Sequence, residues 1–173
     1  MIEAWLRGPL EGIDPYLMPA AHALTQAREE LAIAVDDLTP QEIWQRPGGV
    51  AAIGFHLRHL AGSTDRLLSY ARGEMLTDEQ MAYLRTEGES GDPALGVPEL
   101  LAGAHAAIDR ALAQIATTSR ESLLEVRGVG RKRIPSTTIG LLFHVAEHTA
   151  RHVGQVVTTA KIIRAGRAVE PLG

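Results

Sequence analysis

Apolar residues recur every three or four positions along four long stretches of the chain. A helix turning about 100° per residue gathers such positions on one face. In the first stretch Leu17, Ala20/Ala21, Leu24, Ala27, Leu31, Ala34/Val35 and Leu38 form a single seam, which predicts a helix of about six turns. The second runs from about Val50 to Arg72 and stops at Gly73, the residue type that most readily takes the left-handed turn at a helix end. Pro98 opens the third, whose inner face carries Leu101, Ala104, Ile108, Ala111, Leu112 and Ile115. The fourth, Ser136 to Arg164, spans 29 residues without a proline. Four amphipathic helices with little strand signal predict an all-α four-helix bundle in one domain over residues 1–173.

Short signals fill the connections. Residues 1–15 are loop, punctuated by Gly8-Pro9, Gly12 and Asp14-Pro15. Thr39-Pro40-Gln41-Glu42 places a threonine cap before proline and a carboxylate, so a brief helix starts there and stops at Arg46-Pro47-Gly48-Gly49. Thr77-Asp78-Glu79-Gln80 reads as a capping box opening a short helix to about Arg85, and residues 87–96 follow as loop. Leu124–Arg127 and Arg131–Ile134, either side of Gly128 and Gly130, suit a small hairpin. Its basic run, Arg127, Arg131, Lys132 and Arg133, is a solvated loop unless the fold sets it over a cavity mouth. The tail after Arg164 reads as loosely held.

The fourth stretch carries the chemistry. His144, His148 and His152 fall every fourth residue, so on a helix they share a face with Leu141, Val145, Gln155 and Val156. The other face, with Phe143, Ala146, Ala150, Val153 and Val157, is apolar too, which places this helix centrally. Imidazoles in an apolar stripe are costly unless they bind something. A pair four residues apart can ligate one ion from a single helix. His144 and His152 lie about 12 Å apart along the axis, so the helix offers either His144 with His148 or His148 with His152. A second cluster, His56 and His59, lies on the second long helix. Of the remaining histidines, His22 falls away from its helix seam and reads as a surface residue, and His105 as a hydrogen-bonded core or boundary residue.

Composition narrows the chemistry. The chain contains no cysteine, so disulfides, thiolate ligands and a cysteine nucleophile are excluded, and a metal would take His, Asp or Glu. Its net charge of −4 argues against general nucleic-acid affinity. No apolar run approaches the roughly 20 residues of a membrane span, and the N-terminus lacks the pattern of a signal peptide, so a cytoplasmic location is expected.

Two segments carry a family resemblance. His59-Leu60-Ala61-Gly62, within IGFHLRHLAGSTDRLL, and EHTARHVGQ, from Glu147 to Gln155, resemble the ligand segments of the DinB/YfiT-like superfamily of small metal-binding four-helix proteins. The order of a long helix, a T-P-x-E turn and the His59 helix is similar as well. The resemblance implies one divalent ion held by His59, His148 and His152 with open positions for water. It also implies a homodimer and, in some relatives, transferase or isomerase chemistry with a low-molecular-weight thiol. His56, His144, Arg66, Arg151 and Gln155 are then candidates to line the pocket or steady the ligands, and His56 or His144 could instead replace a mapped ligand; Arg66, Arg151 and Gln155 could orient an anionic substrate, and Arg151 could equally pair with Glu147.

Three imidazoles suit zinc or nickel and, less tightly, iron(II) or manganese. All are neutral, so the ion keeps its charge and lowers the pKa of a bound thiol or water. The leading expectation is therefore a metal-dependent enzyme acting on a small molecule, a transferase with a thiol cosubstrate. The alternatives are a hydrolase using metal-bound hydroxide and a non-enzymatic metal-binding or dimeric interaction module, which a fourth protein ligand from His56 or His144 would favour.

Overall fold

A computed structural model describes residues 2–91 and 94–167. The long seams fold as α1 (Met18–Val35), α2 (Ile53–Ala71), α4 (Val97–Thr117) and α5 (Thr138–Arg167), with the short α3 (Asp78–Thr86) between α2 and α4. Each long helix packs on two others: α1 and α2 both touch α4 and α5, which makes α1 diagonal to α2. Their inner residues form one core. Leu24 and Leu31 of α1, Leu57 and Leu60 of α2, Ile108 of α4 and Leu142 of α5 are fully buried. Each such side chain contributes about 1.5–3 kcal/mol.

The residues buried on α1 are Ala20, Ala21, Leu24, Ala27, Leu31, Ala34 and Val35, the seam the periodicity predicts. Local signals hold where the chemistry is local. Thr77 and Gln80 exchange side chain-to-backbone hydrogen bonds as a capping box at the start of α3, and Gly73 ends α2 with φ 81°. Thr39 and Glu42 make the same reciprocal bonds, but the turn they cap is a single 3₁₀ turn, Glu42–Trp44.

Several boundaries differ from the expectation. α2 starts at Ile53 rather than Val50, because Gly48 and Gly49 turn the chain with positive φ and Val50 and Ala52 stay extended. The hairpin pairs β1 (Val126–Val129) with β2 (Ile134–Thr137), two to three residues later than predicted. α5 continues to Arg167, into the segment expected to be loosely held, because Arg164 and Arg167 pair with Asp37 and Arg167 also with Glu42. The tail expectation for residues 168–173 lies outside the described residues.

α5 is not buried on all sides either. It packs along α1 and α2, while Phe143, Ala150 and Gly154 face outward. Its apolar outer positions are mostly small, and small side chains tolerate solvent at little cost.

Gly62 shows how closely α3 lies on α2. A Cβ there would stand 2.6 Å from the Tyr83 ring and 2.8 Å from Arg66 Nη1. Gly62→Ala is therefore expected to destabilise the protein by about 1–3 kcal/mol through overpacking, more than the helix-propensity gain of about 1 kcal/mol. Urea denaturation checks this: a midpoint at or above the parent's would mean α3 moves aside freely.

Candidate metal centre

The α2–α5 contact brings two pairs of histidines together. His59 Nε2 lies 3.0 Å from His148 Nε2, and His56 Nδ1 lies 2.9 Å from His152 Nδ1. The earlier residue on one helix meets the later on the other, as antiparallel helices require. His59, His148 and His152 each present one ring nitrogen, and these three atoms lie within 4.8 Å of one another.

Each imidazole has one nitrogen to give, and the contacts at its other nitrogen show which one. His59 Nδ1 is 2.6 Å from Glu87 Oε1. A carboxylate only accepts, so His59 Nδ1 carries the proton and Nε2 keeps its lone pair toward His148. His152 is engaged at Nδ1 by His56, which leaves its Nε2 free. His148 is fixed differently: its Nδ1 is buried without a hydrogen-bond partner among the described residues, so packing alone holds the ring. Two facing Nε2 atoms at 3.0 Å, each with a neutral ring behind it, fit a shared cation well. The donor set is all nitrogen, which suits zinc, nickel or iron(II) better than calcium or magnesium.

Burial keeps the His148 and His152 rings neutral. It pushes His148 down to about 4, helped by the neighbouring His59 and His144, and His152 down to about 3, helped by His148 and His59. Burial and His59 lower His56 as well. These folded values lie below the unfolded value of about 6.5. The associated stability is thus fully present above about pH 6.5 and is lost as pH falls toward 4 to 3, where the folded rings protonate. Thermal melts of metal-free protein should be level at neutral pH and decline through this window. A melting temperature unchanged between pH 7.5 and 4 would contradict the neutral, buried cluster.

Glu87 is the residue that pattern reading missed. It follows the last residue of α3 and is buried, with one oxygen on His59 and the other 3.0 Å from Arg66 Nη1. Residues 87–96 read only as loop, and no periodicity separates Glu87 from the exposed Glu89. The cue lies in α3: its capping box fixes where the helix begins, and Tyr83 Oη donates to the Arg58 carbonyl, docking α3 on α2 so that Glu87 lands beside His59.

The other sequence candidates divide. Arg66 is buried and committed to Glu87, so it is not available to a substrate. His144 is exposed and sits 3.3 Å from Glu147, outside the three-nitrogen group. Arg151 pairs with Glu147, and with Gln155 and His56 it borders a cavity of about 440 Å³. The basic run lies elsewhere: Arg127 donates to the Ala71 carbonyl, at the opposite end of α2 from the histidines. His22 is half-buried rather than on the surface, its Nε2 being 3.0 Å from the Gly8 carbonyl oxygen, and His105 bonds the Arg28 carbonyl as a boundary residue.

Fold and site together define a helical-bundle protein with a histidine cluster that can hold a metal ion. The sequence profile of the DinB superfamily matches residues 23–156, which include all three histidines, and the chain belongs to that superfamily. The fold is similar to a crystal structure of a Streptococcus pneumoniae protein, with TM-score 0.60 and 14% identity over 97% of this chain and 98% of that one. No curated protein matches the sequence. Among the described residues, no helix is long and apolar enough to cross a membrane.

Proposed function

We propose that the protein is a metal-dependent transferase that uses a low-molecular-weight thiol as cosubstrate, with His59, His148 and His152 as the ligands of one divalent ion. The observation that carries this reading is the set of three imidazoles with no fourth His, Cys, Asp or Glu in the group among the described residues. Such a set leaves a bound ion positions for an outside ligand. His56 and Glu87 each hold the far nitrogen of a ligand and are thereby occupied, and His144 points elsewhere.

A bound divalent ion supplies Lewis acidity, which favours a thiol in its thiolate form near neutral pH. The protein's own residues orient and desolvate. Glu87 and His56 engage Nδ1 of His59 and His152, and burial keeps the His148 and His152 rings from taking up a second proton. Having no cysteine, the protein must take its sulfur nucleophile from solution. In the transfer the sulfur forms the new bond to an electrophilic carbon of the acceptor. The leaving group departs with its electron pair and the thiol proton passes to solvent.

The test is spectroscopic. Cobalt(II)-substituted protein titrated in turn with bacillithiol, mycothiol and glutathione should develop a sulfur-to-cobalt charge-transfer band with at least one of them. A spectrum indifferent to every thiol, together with turnover of activated esters, would replace the transferase with a hydrolase.

A further inference from the structure

A cavity of about 480 Å³ lies beside the histidine cluster, lined by Trp44, Arg46, Ala51, Ala52, Phe55, Gly88 and Ser90. Its walls are built from pieces that also build the metal centre. Phe55 stacks on His59 at 5.4 Å with 18° between the ring planes, so an occupant touching the free side of Phe55 is one ring away from a ligand histidine. Gly88 directly follows Glu87, the carboxylate that holds His59. Trp44 is set by two contacts: its indole N–H donates to the Leu95 carbonyl at 2.8 Å, and its ring lies against Gly54, where a Cβ would come within 2.7 Å. A fixed indole and a half-buried phenyl ring thus line one cavity, a lining that receives flat apolar groups.

The cavity also carries a charge that has no acidic partner among the described residues. Among the described residues, Arg46 has no carboxylate within 4.0 Å, unlike Arg66, Arg151, Arg164 and Arg167, and its guanidinium makes only a long 3.4 Å bond to the Val50 carbonyl. The neighbouring N-terminus of α2 has no side-chain cap and no acidic residue in its first turn, so its dipole adds positive potential of the same sign. A guanidinium at the mouth of an aromatic slot recognises a carboxylate through paired N–H donors while the body of the ligand lies between the rings.

We infer that this cavity is the subsite for the second substrate, a small organic acid with one carboxylate at Arg46 and a flat, apolar body between Trp44 and Phe55. The role of the occupant as acceptor rests on the transferase reading, whereas the ligand chemistry of the cavity does not. Phe55 then sets the orientation, since it touches both the occupant and His59.

Benzoate and its neutral analogue benzamide serve as probes. In metal-loaded full-length protein carrying Trp5→Phe, Trp44 is the sole indole, and its fluorescence reports the slot. Benzoate should bind about tenfold or more tightly than benzamide, the expected value of one charge-assisted contact. Arg46→Gln should erase that preference and leave benzamide unchanged. Equal binding of the two probes, saturable quenching by neither, or a preference that survives Arg46→Gln would each overturn the assignment. Benzoate binding that is indifferent to Arg46→Gln but disappears on chelation would place the carboxylate on the ion instead. A failure of every thiol to bind cobalt leaves these outcomes unaffected, so the subsite and the transferase reading fail separately.

Discussion

Replacing any one of His59, His148 or His152 with alanine is expected to abolish stoichiometric binding of a divalent ion, whereas His144→Ala retains it. The reason is geometric. Among the described residues only those three meet as a group within 4.8 Å, and His144 lies outside it beside Glu147. Structural zinc sites bind with about 10–16 kcal/mol shared over four ligands, so one imidazole is worth roughly two orders of magnitude in affinity or more. Equilibrium dialysis followed by elemental analysis reads metal per chain directly. Because the site ties α2 to α5, the parent should also melt lower after chelation, by an amount that follows the ion's concentration relative to its Kd. Loss of metal in His144→Ala together with retention in His152→Ala would move the ion one turn toward the start of α5.

Glu87→Gln should damage both the site and the fold. The amide can still accept from His59, but it carries no charge, and Arg66 is left as a buried cation with no partner. Both side chains of this pair are about nine-tenths buried (side-chain exposures 11% for Arg66 and 8% for Glu87), so solvent screens the loss little. Breaking such a pair costs about 3 kcal/mol or more. Removing the charge that orients a ligand histidine weakens metal binding about 10- to 100-fold. Denaturation midpoints and metal affinity, measured where the variant is fully folded, separate the two effects. Glu89→Gln is the control, since that residue is exposed two positions on. A Glu87→Gln variant with parental metal affinity would show that His59 is oriented by packing alone.

The helical seams were legible because burial repeats with the period of the helix. Leu24 and Leu31, or Leu57 and Leu60, must face one way whatever they pack against, and the observed core uses them so. Capping at Thr39 and Thr77 was legible because it is chemistry within four residues. By the same logic the sequence places His56 and His59 on one helix and His144, His148 and His152 on another. It cannot say which of the last three meet the first two.

That choice belongs to the tertiary structure. Four residues advance a helix by about 400°, so each successive histidine is rotated by about 40° from the last. α5 meets α2 where His148 and His152 point inward, and His144, one turn earlier, has already turned toward solvent. The same holds for Arg66, which the sequence offers as a group to orient an anionic substrate but which is taken by Glu87 once α3 docks. Glu87 itself could be found only in the fold. A carboxylate in a loop has no period to betray its direction, and the packing of Tyr83 over Gly62 decides where it comes to rest. Local spacing determines which residues share a face; the angle at which helices cross, set by the shapes of distant side chains, determines which faces meet.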